Sequence, residues 1–430
     1  MNQRLLLSLW ALALLPTLPL IAQERQWFKG NTHTHTLWSD GNDFPDMVTD
    51  WYVKADYDFL ALSDHNILSE GEKWMKETAI NKRRLTLGRA TLAKYRARFG
   101  DDWVETRTSD GVLEVRLKTL NEVRSLFEKP DEFILIQAEE ITDSFKEPIE
   151  ATAPETKSSD ASEEDNQVKP EPKTRAIQVH INALNLEELI PPQKGTSTRD
   201  TMRNNLLAVR EQEKRTGRPM IAHLNHPNFE WSISAEDLAH VVEENYFEVY
   251  NGHPSINHLG NKSTPGDERI WDIANTIRLT KLDARPLYGM ATDDSHQYHG
   301  GDVSPGRGWV MVHAPALEAN ALILAMREGA FYASTGVLLK TIDYARDAKA
   351  VHFAIDAQPG ATYVTEIIGT RRSTPEKVGE VLARIEGPDV HYPLSGDELY
   401  VRATVTASTP HSNPSFKGQR LQAWTQPIGW

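Results

Sequence analysis

The stretch NTHTHTLWSDG, Asn31 to Gly41, completes a run of strand character, QWFKGNTHT, and sets His33 and His35 one residue apart ahead of Asp40 and Gly41. A strand's period of two points residues i and i+2 to the same side, so both imidazoles can reach one ion. Alone, such a pair is more often two ordinary histidines whose hydrogen bonds are satisfied. Histidine is scarce here, 15 residues in 430, and the rest of the chain decides between the readings.

Beyond Gly41, Pro45 opens a helix whose Met47, Trp51 and Ala55 share a face. DFLALSDHN and FILIQAEEI are the next strands, followed by RAIQVHINA, RPMIAHLNHPN, FEVYNGH, RPLYGMATDDSH and WVMVHAP. Helical patterns lie between them at 200–215 (closed by Gly217), 235–243, 268–282 and 316–328. Strand and helix in alternation predict a parallel sheet, and at this length a barrel rather than an open sheet. The candidate ligands fall at the predicted strand ends: His33, His35 and Asp40; Asp64 and His65; Glu139 or Glu140; His180; His223 or His226; Asp293 or Asp294, with His296. A parallel α/β barrel gathers such ends on one face. Buried together, those groups face desolvation and like-charge costs that metal ions remove.

In that order, HTHTLWSDG, SDHN, AEEI, VHI, NHP and TDDSH resemble the motifs of the PHP family, named for the polymerase and histidinol phosphatase domain. The resemblance runs through Trp27–Val337, about 70% of the chain. It implies a distorted (βα)7 TIM-like barrel with a centre of two or three divalent ions, usually zinc, manganese or iron. It also implies ligand sets. One ion takes His33, His35, Glu140 and Asp294; Glu140 bridges to a second held by His180 and His226; a third sits on Asp40, His65 and His296. The family's glutamate precedes a hydrophobic residue, its histidine precedes proline and its aspartate stands in Asp-x-His, which selects Glu140, His226 and Asp294 over their neighbours. Asp64 fits a carboxylate that orients a ligand from behind.

The resemblance points to a phosphoesterase that cleaves a phosphate mono- or diester with a metal-bound hydroxide as the nucleophile, and the pattern of residues 1–22 points to its export. No Gly-x-Ser-x-Gly elbow or Walker loop offers a rival. Asn251 and Arg307 are candidates for holding substrate, although each also fits a turn. The same chemistry could instead open a carbamate, amide or lactone, and an inactive barrel could serve a binding protein through its C-terminal module.

Composition bounds the rest. A net charge of -14 argues against non-specific nucleic-acid binding, leaving a small-molecule or oligomeric phosphoester as partner. There is no cysteine, so thiolate ligands, cysteine nucleophiles and disulfides are excluded. Residues 1–22 read as a signal peptide, with Arg4 before an apolar run to Leu20 interrupted by Pro16 and Pro19, which predicts a secreted or periplasmic protein without a stable membrane span. The barrel is expected over 23–337 with two insertions. The first, 67–130, carries the basic run Lys82–Arg98, either a cationic lid or a solvated helix, and a hairpin turning at Asp110-Gly111. The second, 147–173, is rich in Glu, Ser, Pro and Lys and is expected to be disordered. From 338 to 430, alternating segments predict an antiparallel, sandwich-like β module. Its Trp424 and Trp430 could stack on sugars or seal the module against its neighbour.

Overall fold

The computed structural model describes residues 24–148 and 174–430, Arg84 and Tyr344 excepted. The expected signal peptide, and the second insertion beyond Pro148, lie outside the described residues. A 13-stranded sheet runs through the molecule. Seven strands build the half that bears the site, in the order Tyr288–Thr292, Tyr246–Asn251, Ile221–Leu224, Thr174–Leu184, Ile134–Pro148, Phe59–Leu62 and Gln26–Asn31. The two outermost strands approach each other just beyond their ends. There His35 N–H donates to Ser295 O (3.0 Å) and Asp294 N–H to His33 O (3.1 Å).

The expectation of an all-parallel sheet is corrected at two places. Thr174–Leu184 runs antiparallel to both of its neighbours, and Trp309–Ala314 runs antiparallel to Gln26–Asn31. The first case has a reason in sequence. Parallel pairing needs a crossover, usually a helix that packs on the sheet, and the polar 147–173 stretch has no apolar face to pack. Ile134–Pro148 and Thr174–Leu184 therefore form one long ladder, pairing from Ala138–Leu184 out to Pro148–Thr174.

The helices stand close to expectation at Thr198–Thr216, Ala235–His240, Asp267–Lys281 and Ala319–Arg327, and Gly217 closes the first with φ of 71°. Helix Pro45–Lys54 forms, but Val48 and Tyr52 are buried more deeply than Trp51 and Ala55. In the first insertion, Thr106–Ser109 and Val112–Leu117 form the expected hairpin, and helix Ala90–Phe99 buries Leu92 and Tyr95 against Leu37, Trp38 and Phe44. Two basic groups of this segment, Lys94 and Arg98, are used in scaffolding. Lys94 donates to Asp43 (2.8 Å) and Arg98 to Asp50 (2.6 Å), so the segment braces the loop after Gly41 and helix Pro45–Lys54 from outside.

The C-terminal strands form two facing layers. Leu339–Ile342, Ala350–Ile355 and Asp389–Pro393 cover the far end of the large sheet over a core that includes Val351, Phe353, Ile367 and Val401. The large sheet itself passes without a break from Phe331–Ser334 to Arg420–Thr425. Trp424 is buried and stacks on Tyr250 (6.0 Å between centroids), so it seals the two halves together. Trp430 meets Arg346 (4.1 Å). No helix among the described residues is long and apolar enough to cross a membrane.

Beneath the strands, Glu244 accepts from the N–H groups of Asn245 (2.8 Å) and Tyr246 (2.9 Å) through Oε1, while its buried Oε2 has no partner. Burial pushes this carboxyl from 4.5 up to about 8, despite Arg278 nearby. Between those values the folded chain holds a proton that the unfolded chain has lost, so stability falls as pH rises through the window. Glu244→Gln is expected to leave urea midpoints unchanged at pH 4.5 and to raise stability by roughly 1–3 kcal/mol at pH 9.

Candidate metal centre

The loop after Asn31 brings in the first donors. Asp64 takes four hydrogen bonds from it, from Thr36 N–H (2.8 Å) and Oγ1 (2.7 Å) and from Ser39 N–H (3.0 Å) and Oγ (2.6 Å). Asp64 thus shapes the turn that carries Asp40, and Ser39 Oγ lies 3.5 Å from His35 Nδ1. Gly41 closes the turn because a Cβ there would meet His35 O at 2.5 Å and Thr36 N at 2.6 Å.

The nine residues His33, His35, Asp40, His65, Glu140, His180, His226, Asp294 and His296 come together. His33 Nε2 and His35 Nε2 lie 3.4 and 3.3 Å from Glu140 Oε2, and each lies 3.2 Å from Asp294 Oδ1. The other carboxylate oxygen, Glu140 Oε1, faces His180 Nδ1 (2.9 Å) and His226 Nε2 (3.6 Å). Asp40 Oδ2 faces His65 Nε2 (3.6 Å) and His296 Nε2 (3.3 Å). Two donors on one tetrahedral ion, each about 2.05 Å from it, stand about 3.3 Å apart. His33 Nε2, His35 Nε2, Glu140 Oε2 and His180 Nδ1 are buried without a hydrogen-bond partner, as metal donors would be. The donor set therefore fits metal ions.

The electrostatics agree. Burial disfavours charge on Glu140 and Asp294, yet neighbouring histidines hold both well below the usual carboxylate range. Burial likewise opposes charge on His65, but Glu140 and Asp40 raise it to about 11. The cluster attracts positive charge, and protons and metal ions compete for it. Two donors sit on strained backbone, His226 at φ 26° and Asp294 at φ 47°.

His180 reaches the cluster by a route the sequence did not suggest. It lies inside its strand, opposite Thr142, rather than at a C-terminal end, and enters because that strand runs against its neighbours. The three rejected neighbours serve elsewhere. Glu139 Oε1 accepts from Ile190 N–H (2.7 Å), and burial raises its carboxyl to about 8. His223 Nε2 pairs with Thr32 Oγ1 (3.2 Å). Asp293 accepts from the N–H groups of Gly306, Arg307 and Gly308 and from Tyr52 OH.

Asn251 and Arg307, expected to hold substrate, do not line the cavity that opens beside the donor cluster. The Asn251 amide is buried and donates to Glu248 Oε2 (2.8 Å) and Asp294 Oδ2 (3.1 Å). The Arg307 guanidinium turns to Gly252 O (2.8 Å) and Asn413 Oδ1 (3.1 Å), toward the C-terminal module.

Glu248 was missed by sequence reasoning. Its signal was a carboxylate within YFEVYN, every residue of which is buried. Glu248 Oε1 accepts from His33 Nδ1 (2.7 Å) and Thr292 Oγ1 (2.7 Å), and Oε2 from His226 N–H (2.8 Å). Burial works against its charge, but His33 holds the carboxyl down at about 2. An ionised Glu248 fixes the proton of His33 on Nδ1 and frees Nε2 to bind. Glu248→Gln is expected to weaken metal affinity about 10–100-fold with the far-UV circular dichroism unchanged, as read by competition with a chelator. Asn225 plays a lesser part, donating to Glu140 Oε1 (2.9 Å).

No protein-family model and no curated protein matches the sequence. Among solved structures, the chain is similar to a two-domain protein from Bacteroides vulgatus described as containing a PHP-like metal-dependent phosphoesterase. Identity is 13% over 94% of this chain and 95% of that one, with a TM-score of 0.39. It is also similar to PsfC from Pseudomonas syringae (11% identity, 70% of this chain and 88% of that one, TM-score 0.31). A third is described as a metal-dependent phosphoesterase from Bifidobacterium adolescentis (13% identity, 64% and 89%, TM-score 0.26). At these scores the likeness carries no weight of its own.

Proposed function

We propose that the chain is a metal-dependent phosphoesterase of the PHP family, built on a distorted barrel. The observation that carries the reading is Glu140, whose Oε2 faces His33, His35 and His65 while its Oε1 faces His180 and His226, an arrangement suited to a carboxylate shared by two ions. His33, His35, Glu140 and Asp294 would hold one ion, Glu140, His180 and His226 a second, and Asp40, His65 and His296 a third. Nitrogen and oxygen donors without sulfur suit zinc, manganese or iron. Such ions, when bound, activate water at neutral pH and neutralise charge on a phosphoryl group.

The chain's own residues supply the rest. Glu248 keeps His33 in its binding tautomer, Asn251 and Asn225 hold the carboxylates in orientation, and Asp64 fixes the turn behind Asp40. Three dications against Asp40, Glu140, Glu248 and Asp294 would leave an excess of positive charge, which suits an anionic ester better than a neutral amide or lactone. Export to the periplasm or the medium is part of the proposal and rests on the sequence of residues 1–22. Elemental analysis of the purified protein is expected to give two or more ions per chain. A panel of phosphate mono- and diesters, carbamates and lactones is expected to show turnover of phosphate esters. Fewer than two ions with no phosphate released would overturn the reading, and hydrolysis confined to carbamates or lactones would move it to a different bond.

A further inference from the structure

The cavity beside the donor cluster measures about 260 Å3, at the small end for a ligand site. Three of its lining residues belong to none of the ion sites: Phe229, His253 and Ile256. Phe229 stands edge-on to His226, with centroids 5.2 Å apart, and 6.3 Å from His180. The ring of His253 lies 5.7 Å from that of His296, near perpendicular to it. Ile256 is a buried residue of the loop that carries His253, its N–H donating to His253 O (3.1 Å).

The loop itself places the proton of His253. Ser255 N–H donates to His253 Nδ1 (3.1 Å). A backbone N–H can only donate, so Nδ1 carries the lone pair and Nε2 the hydrogen. The backbone N–H of His253 donates to Asn251 Oδ1 (2.8 Å), which ties the loop to the residue that also holds Glu248 and Asp294. Half-buried His253 thus offers the cavity one oriented donor. Among the described residues, no lysine or arginine lines the cavity. Away from the ion sites, a second anionic group laid against Phe229 and Ile256 would lose water without a cationic partner, and a run of sugar hydroxyls there would outnumber the hydrogen-bonding groups of this wall.

From this geometry we propose that the substrate is a phosphomonoester of a small, uncharged, apolar alcohol or phenol. Its organic group lies against Phe229 and Ile256, and an oxygen of the phosphate accepts from His253 Nε2–H. The proposal rests on the phosphoesterase reading above and narrows it. The full chain loaded with manganese is assayed for phosphate released from phenyl phosphate, O-phosphoserine and a nucleoside 5′-monophosphate. The value of kcat/KM for phenyl phosphate is expected to exceed the other two by at least about tenfold. His253→Ala is expected to raise KM for phenyl phosphate about tenfold with little change in kcat or metal content, and His253→Gln, which keeps a donor, to restore much of the loss. Phe229→Lys is expected to shift preference toward O-phosphoserine. Equal or better turnover of the charged esters by the unaltered protein, or an unchanged KM in His253→Ala, overturns the proposal. No phosphate from any ester with two or more ions bound removes the phosphoesterase reading, and this proposal with it.

Discussion

Glu140→Gln is expected to lower phosphate release by at least about 10^3-fold, the loss of several kcal/mol of transition-state stabilisation. The variant should also purify with fewer ions per chain. Both effects follow from one side chain's position. Glu140 is fully buried, with Oε2 set among His33, His35 and His65 and Oε1 facing His180 and His226. Glutamine keeps the shape but carries no negative charge, and its amide nitrogen cannot bind an ion. Whichever way the amide turns, the histidines on one side lose their carboxylate partner. Elemental analysis and phosphate release, measured on the same preparation, check the two effects together. Full metal content with full activity would show that Glu140 is not shared between ions.

The largest expected effect on stability lies away from the centre. Arg402 is buried and clasps Asp272 with Nε (2.9 Å) and Nη2 (2.8 Å), while Nη1 reaches Glu268 Oε2 (3.0 Å). Tyr400 OH also donates to Asp272 Oδ1 (2.8 Å). Arg402→Ala strands the Asp272 charge in the interior and is expected to cost about 3–5 kcal/mol. Removing both charges, as in Arg402→Leu with Asp272→Leu, should recover much of that loss, because the penalty comes from the unpaired ion more than from the missing pair. Thermal unfolding of the single and double variants measures it. A single variant as stable as the unaltered protein would mean that water or another group reaches Asp272.

Much of the donor set was legible in sequence because ligands at strand ends repeat a short spacing. His33-x-His35 places same-side residues two apart on a strand, whereas Glu140, His226 and Asp294 were separated from their neighbours only by the resemblance to the PHP motifs, in which a hydrophobic residue follows the glutamate, a proline follows the histidine and the aspartate stands in Asp-x-His. Strand direction was not legible. RAIQVHINA reads the same whichever way it runs, and only the lack of a helical face in the preceding 147–173 segment could have signalled the reversal that carries His180 inward. Glu248 was hidden because an acidic residue in a strand is ordinarily assigned to the solvent side, whereas Tyr246–Asn251 is buried throughout. Asn251 and Arg307 illustrate the converse. Asn251 ends, and Arg307 follows, a strand that leads to the donor cluster, but side-chain direction decides what they touch, and theirs are used by the scaffold.

The unbroken sheet has a practical consequence. A boundary drawn at 337 from the change in sequence pattern invites excision of the first part as a free-standing fragment. Such a cut would strip Arg420–Thr425 from Phe331–Ser334 and leave the backbone N–H and C=O groups of a wholly buried strand facing water. Bare edges of that kind recruit strands from other chains, so the fragment should be prone to self-association and precipitation. The C-terminal layers act as a cap on an otherwise sticky edge, which makes the half that bears the donor cluster and its cover a single unit of solubility.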